Sequence, residues 1–411
     1  MSEPRLARRL GLFDAVILGM GSMIGAGIFA AVGPAAAAAG SGLLIGLGLA
    51  ALVAYANATA SAQLAAVYPE AGGTYVYARQ TLGPFWGYLA GWGFVVGKTA
   101  SLAAMALTVG AYAFPGFERP IGIAAVLVMA AVNYLGVEKT ANLTKVIVAV
   151  VLAVLAVAVV AALAAPTAGA HNLGALSEKG IRGILEAAGL LFFAFAGYAR
   201  IATLGEEVIE PTRTIPRAIP LALGITLAIY AIVAVSSILA VGPEMLAGSK
   251  APLATSAAGI SWAVPLVRAG GAVAALGVLL SLLAGVSRTS FAMARNHELP
   301  VWLEAVHPVH KTPYRSELAT AAVIVAVISV ADLRGAIGFS SFAVLTYYAI
   351  ANASAFTQPQ AERRWPRWLQ IVGVAGCALL ALSLPVGSII GGAAVLGLGA
   401  VIWLVRRRGS G

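Results

Sequence analysis

The chain has 411 residues, of which 60% are hydrophobic and 10% charged, with a mean hydropathy of +0.92; soluble domains carry about 25% charged residues. This composition excludes a water-soluble globule and points to a chain solvated by lipid. The net charge of +10 does not mark a nucleic-acid binder, because the basic residues gather in alternate loops.

Apolar runs able to cross a hydrocarbon core of about 30 Å recur about twelve times, at 12–39, 42–67, 82–114, 121–137, 143–165, 184–204, 218–241, 261–293, 318–331, 334–356, 369–384 and 386–405. The ninth is short, and the connections leave no room for a soluble domain, so residues 1–411 form a single transmembrane domain. Arg5, Arg8 and Arg9, then Arg79, Lys139, Arg213 and Arg217, Arg295, Lys311 and Arg315, Arg363, Arg364 and Arg367, and Arg406 to Arg408 fall on one side. By the positive-inside rule both termini are expected in the cytoplasm of a multi-pass protein of the cell membrane. The basic start before an apolar run imitates a signal peptide, but the eleven later spans make an uncleaved first helix the expectation. Cys377 stands alone, so no disulfide framework is expected.

The first span carries "GMGSMIGAGIF", with Gly19, Gly21, Gly25 and Gly27 at its centre, although each glycine weakens a helix by about 1 kcal/mol relative to alanine. Close packing through small residues is one account, and it serves for Gly87, Gly91, Gly93 and Gly97 of the third span. The sixth span tips the balance: "FFAFAGYAR" places Gly197 and the charged Arg200 inside an apolar stretch, half a molecule after the first motif. Transporters built from inverted repeats put broken helices at corresponding positions of their halves. Helices one to five (10–165) would then match six to ten (183–356), with eleven and twelve (367–406) appended. Half-helix amino ends offer unpaired N–H groups to an anion and carboxyl ends offer carbonyls to a cation. A zwitterion suits such a site.

These motifs, with "YPEAGGTYVYARQTLGPFWGYLAGW" after the second span, "GEEVIEPTRTIPRAI" after the sixth and "SRTSFAMARNHELP" at the end of the eighth, resemble the amino acid, polyamine and organocation transporter superfamily, amino acid permease branch, over nearly the whole chain. The resemblance implies an all-α, leucine-transporter-like fold of twelve transmembrane helices, a five-plus-five inverted repeat with helices 1 and 6 broken. It also implies a substrate site at Met23, Ile24, Gly25, Ala26, Gly27, Phe193, Ala196, Gly197 and Tyr198. The Ala26 and Gly27 amides would hold an α-carboxylate, the Met23, Phe193 and Ala196 carbonyls an α-ammonium, and Tyr198 a gate or pocket wall. Lys145, at the start of the fifth span, takes the position of a lysine that replaces sodium in sodium-independent relatives. Its expected neighbours are the carbonyls of Gly21 and Ile24 and the hydroxyl of Ser287, and proton coupling is its expected role.

Two departures from the family pattern make the interior more cationic. Lys98 replaces an acidic motif in the third span, and Arg200 carries the polar group that relatives place one residue earlier. An intramembrane lysine needs a counter-charge or water, and Glu206 and Glu207 are the candidates, with Arg200 competing for them; the four form an expected gating or charge network. The expected cargo is a neutral amino acid, moved by proton symport or, second, by amino acid exchange; an acidic side chain stays open, and a cationic amino acid or polyamine is the alternative. No enzyme is expected: Ser22 has no evident base, no histidine lies within a span, and no phosphate loop of Walker type occurs. No cofactor and no metal site is expected, His297, His307 and His310 having no cysteine or carboxylate to complete a site. The expected partners are a small amino acid, protons and the bilayer, with no nucleic acid. A sensor that binds amino acids without moving them would use the same pocket.

Overall fold

The computed structural model of the chain describes residues 10–68, 72–136, 141–202 and 207–409. In chain order its helices are α1 (Leu12–Met23), α2 (Ala26–Ala39), α3 (Leu43–Val67), α4 (Thr74–Thr81), α5 (Pro84–Ala113), α6 (Glu118–Tyr134), α7 (Ala141–Ala164), α8 (Gly180–Phe195), α9 (Ala199–Ala202), α10 (Pro211–Gly248), α11 (Pro252–Ser256), α12 (Ala263–Arg295), α13 (Tyr314–Val330), α14 (Leu333–Thr357), α15 (Arg367–Ser383) and α16 (Val386–Gly409). Among the described residues no strand forms; one isolated parallel bridge joins Leu10 to Val208. The architecture is all-helical, as expected.

Seven stretches among the described residues are long and apolar enough to cross a membrane alone: Gly27–Val67, in which α2 runs through a short turn into α3, and the helices α5, α7, α10, α12, α14 and α16. The twelve expected from hydropathy include segments that fall short by themselves. Helix α1 has 12 residues and α2 has 14, and at 1.5 Å per residue the longer spans about 21 Å. Helix α8 has 16 residues, and α6, α13 and α15 have 17 each.

Helix ends differ from the hydropathy reading where polar sequence is helical. Helix α10 starts at Pro211, seven residues before the expected 218, with Pro211 in its first turn and Pro216 and Pro220 inside. Proline at a helix start loses no bond, because the first amides have no intrahelical partner. Gly242, at φ 75°, kinks the same helix just before Pro243. Between the second and third spans the sequence pattern gave a loop, whereas Thr74 to Thr81 form α4.

The interior is built largely from alanine, glycine and serine, so backbones approach closely. Helices α2 and α8 pack on each other, α10 packs on α1, α2 and α3, and α5 packs on α12 and α14. Many large apolar side chains also point outward, Phe13 at 72% exposure and Val330 at 83%. Helices apolar on both inner and outer faces are what a lipid-solvated bundle requires.

Candidate functional site

Both expected interruptions are present, and they touch. Helix α1 ends at Met23, Gly25 leaves helical geometry at ψ −123°, and α2 restarts at Ala26 with no side chain capping its amino end. Helix α8 ends at Phe195, and the chain turns through Ala196, Gly197 and Tyr198 before α9. A Cβ on Gly197 would fall on the Ser22 carbonyl, and one on Gly27 would lie 2.7 Å from the Ala194 Cα. The other glycines of the first motif serve packing as well: Gly19 meets Ile201, Gly21 meets Val148 and Thr144, and Gly25 meets Val278. Glycine here both frees the backbone and lets two broken helices cross in contact.

Helix breaks strand carbonyls that need donors, and three side chains supply them. The Tyr230 hydroxyl, from α10, lies 2.6 Å from the Met23 carbonyl and 3.1 Å from the Ala194 carbonyl, tying one break to the other. The Ala196 carbonyl accepts from the Lys98 ammonium at 3.2 Å and from the Tyr348 hydroxyl at 3.2 Å. The Phe193 carbonyl meets no donor among the described residues. Tyr230 and Tyr348 escaped the sequence reading; the signal for them is a hydroxyl inside an otherwise apolar span, which demands a partner.

A cavity of about 330 Å³ opens beside the breaks, lined by Met23, Gly27, Phe193, Ala196 and Gly197 together with Lys98. Its volume lies in the range of small-molecule sites. Arg200, Glu207, Arg288 and Tyr75 line it too, so three members of the expected charge network share one space with the expected substrate site. Glu206 lies outside the described residues. A larger space of about 1010 Å³ lies among α5, α13, α14 and α16, but it borders neither break.

Three expected substrate residues are placed elsewhere. Ile24 and Gly25 face α7 and α12, against Val148 and Val278, because the turn at the break rotates them away from the cavity. Tyr198 is wholly buried and stacks on Tyr348 at 5.1 Å, so it supports the wall from behind. Ala26 opens α2, where its amide is one of the uncapped donors.

Among the described residues Lys98 meets no carboxylate; of its two expected partners, Glu207 is not paired with it and Glu206 lies outside the described residues. Lys98 is 8% exposed, and among the described residues its partner is the Ala196 carbonyl. An α-ammonium arriving at that carbonyl, about 4 Å from Lys98, would be repelled by roughly 4 kcal/mol at an effective dielectric constant of about 20. The Phe193 carbonyl, which meets no donor among the described residues, is left to accept from such a group.

The expected coupling cluster is also arranged differently. The Lys145 ammonium pairs with Asp14 at 2.5 Å, linking α7 to α1, in place of the Gly21 and Ile24 carbonyls. Ser287 is buried and donates to the Leu283 carbonyl of its own helix. Asp14 also accepts from the Gly11 amide at 3.1 Å, so one carboxylate caps α1 and holds the lysine.

The sequence profile of the family described as "Amino acid permease" matches residues 10–404. An uncharacterized transporter of Mycobacterium tuberculosis is 61% identical over 98% of this chain and 92% of its own length. The branched-chain amino acid permease BcaP of Bacillus subtilis is 28% identical over 76% of this chain and 72% of its own. Cationic amino acid transporter 7, chloroplastic, of Arabidopsis thaliana is 26% identical over 87% and 66%. With a profile match along almost the whole length, a lipid-solvated helical bundle and a cavity at two broken helices, the chain belongs to the amino acid permease family of the amino acid, polyamine and organocation superfamily.

Proposed function

We propose that the protein is a secondary transporter carrying an amino acid without a cationic side chain across the cell membrane, independent of sodium and coupled to protons, by alternating access. The observation that carries this reading is one cavity lined by residues of the uncapped amino end of α2 and by Phe193 of α8, whose carbonyl meets no donor among the described residues. An α-carboxylate at the first and an α-ammonium at the second would replace water with oriented backbone dipoles. The branched-chain cargo in the name of the Bacillus subtilis relative fits this reading; the cationic cargo in the name of the Arabidopsis thaliana relative does not, and Lys98 in the cavity disfavours a cationic guest here.

The transmembrane arrangement proposed is twelve crossings with both termini in the cytoplasm. Helices α1 with α2 and α8 with α9 each make one interrupted crossing, and α3, α5, α6, α7, α10, α12, α13, α14, α15 and α16 supply the others. The lengths support a repeat of five: α6 and α13 have 17 residues each, α7 and α14 have 24 and 25, and α5 and α12 have 30 and 33.

Proton coupling is assigned to the Lys145–Asp14 pair. It joins the interrupted helix to α7, and protonation of Asp14 would break the pair and loosen the hold on α1. In proteoliposomes, labelled amino acid should accumulate when an inward proton gradient is imposed, without sodium. Lys145→Ala and Asp14→Asn should both flatten the pH dependence. Uptake that requires an internal amino acid, whatever the gradient, would establish exchange instead, and saturable binding without accumulation would establish a sensor.

A further inference from the structure

A zwitterion uses the α2 amides and the Phe193 carbonyl but leaves Lys98 unanswered. That ammonium is nine-tenths buried, lines the cavity, and has a carbonyl, not a carboxylate, as its partner among the described residues. A buried cation in this condition is stabilised most by an anion reaching it. The neighbouring charges are engaged elsewhere. Arg200 and Arg288 hold partners, Glu207 acts on Arg200, and Arg288 acts also on the buried Glu317 of α13. The Tyr75 hydroxyl donates to Glu298, and the Tyr347 hydroxyl accepts from the Thr74 amide.

The groups that line the cavity then specify the guest. The α2 amides call for an anion and the Phe193 carbonyl for a cation. The Ala196 carbonyl already accepts from Lys98 and Tyr348, so at Lys98 an anion is called for again. We propose that the cargo carries a second carboxylate besides the one on its α-carbon, and that Lys98 receives it: the substrate is an amino dicarboxylic acid of the size of aspartate or glutamate. This rests on the reading of the cavity as an amino acid site and narrows it. A neutral amino acid would leave Lys98 without an anion. A dicarboxylic one supplies it.

The purified full chain in detergent, titrated with L-aspartate, L-glutamate, L-asparagine, L-glutamine and L-leucine under calorimetry, decides the matter. One acidic amino acid should bind at least about tenfold more tightly than its amide. Lys98→Gln should erase that preference, and Lys98→Arg should keep part of it. The comparison of acid with amide on the unaltered protein holds even where a variant fails to fold. Asparagine, glutamine or leucine binding while neither acid competes overturns the proposal and leaves the transporter reading standing, as does an acid preference that survives Lys98→Gln. Failure of all five to bind overturns the amino acid site itself.

Discussion

Tyr230 shows what one hydroxyl does in this interior. Its single proton is shared between the Met23 and Ala194 carbonyls, each at the broken end of a different helix. Removing it leaves buried acceptors unpaired, at a cost of about 1–3 kcal/mol, while the phenylalanine ring fills the same space. Tyr230→Phe should therefore lower the thermal midpoint of the purified protein and its transport rate together; a variant as stable and as active as the parent would show that the hydroxyl does not hold the breaks. At this scale the sequence is legible in residue types and silent on pairings. It marks Lys98 as a charge needing an answer, but the partner among the described residues is the Ala196 carbonyl at the end of α8. It marks Lys145 as a coupling candidate without showing that its partner is Asp14. Such contacts join residues far apart in the chain, and hydropathy carries no record of them.

Among the elements, the two interrupted helices were readable because glycine in a lipid-solvated helix needs a reason, and two such places half a molecule apart share one. What the pattern could not separate was packing from exposure, since the same glycines do both. Gly197 is the clearest instance: a Cβ there meets the Ser22 carbonyl and the Met23 amide, both backbone atoms that cannot swing aside. Gly197→Ala should push α8 and α1 apart and lower transport at least about tenfold, the loss expected when a binding geometry moves by about 1 Å. Gly224 in α10 has open space around it, and Gly224→Ala should leave transport unchanged, or strengthen the helix slightly. Equal effects of the two substitutions in the same uptake assay would refute the contact as the cause. The helix starts that hydropathy misplaced, at α4 and α10, follow from the same limitation: local helical order in polar sequence leaves no apolar trace.

For the molecule as a whole, the alternating access proposed requires the cavity to open on one side at a time, and a polar cluster built on the cavity-lining Tyr75 is placed to act as a latch. Tyr75 of α4 lines the cavity and donates to Glu298 at 2.6 Å, just beyond the end of α12, while Asn296 donates to Tyr75 at 2.7 Å and Arg79 pairs with Glu298 at 2.6 Å. The sequence singled out both segments, but their meeting across 223 positions is a property of the fold alone. Burial, followed by Glu298, pushes the Tyr75 hydroxyl up to about 12, so it stays a donor at physiological pH. Burial also raises the Glu298 carboxyl from its ordinary value, against the pull of Tyr75 and Arg79. The joined state thus holds the Glu298 proton more tightly than an open one would, and the latch tightens as pH falls through that raised value and loosens as pH rises. Glu298→Gln, which imitates the protonated form, should keep the mouth closed, whereas Glu298→Ala should open it. A cysteine at Thr289, on the cavity wall, reports the difference once Cys377, the chain's one cysteine, is changed to serine. Its labelling by a water-soluble maleimide should rise several-fold with Glu298→Ala and stay at the parent rate with Glu298→Gln. Equal labelling in all three would mean that α4 and α12 are held together by their apolar contacts, and that the cluster does not gate the cavity.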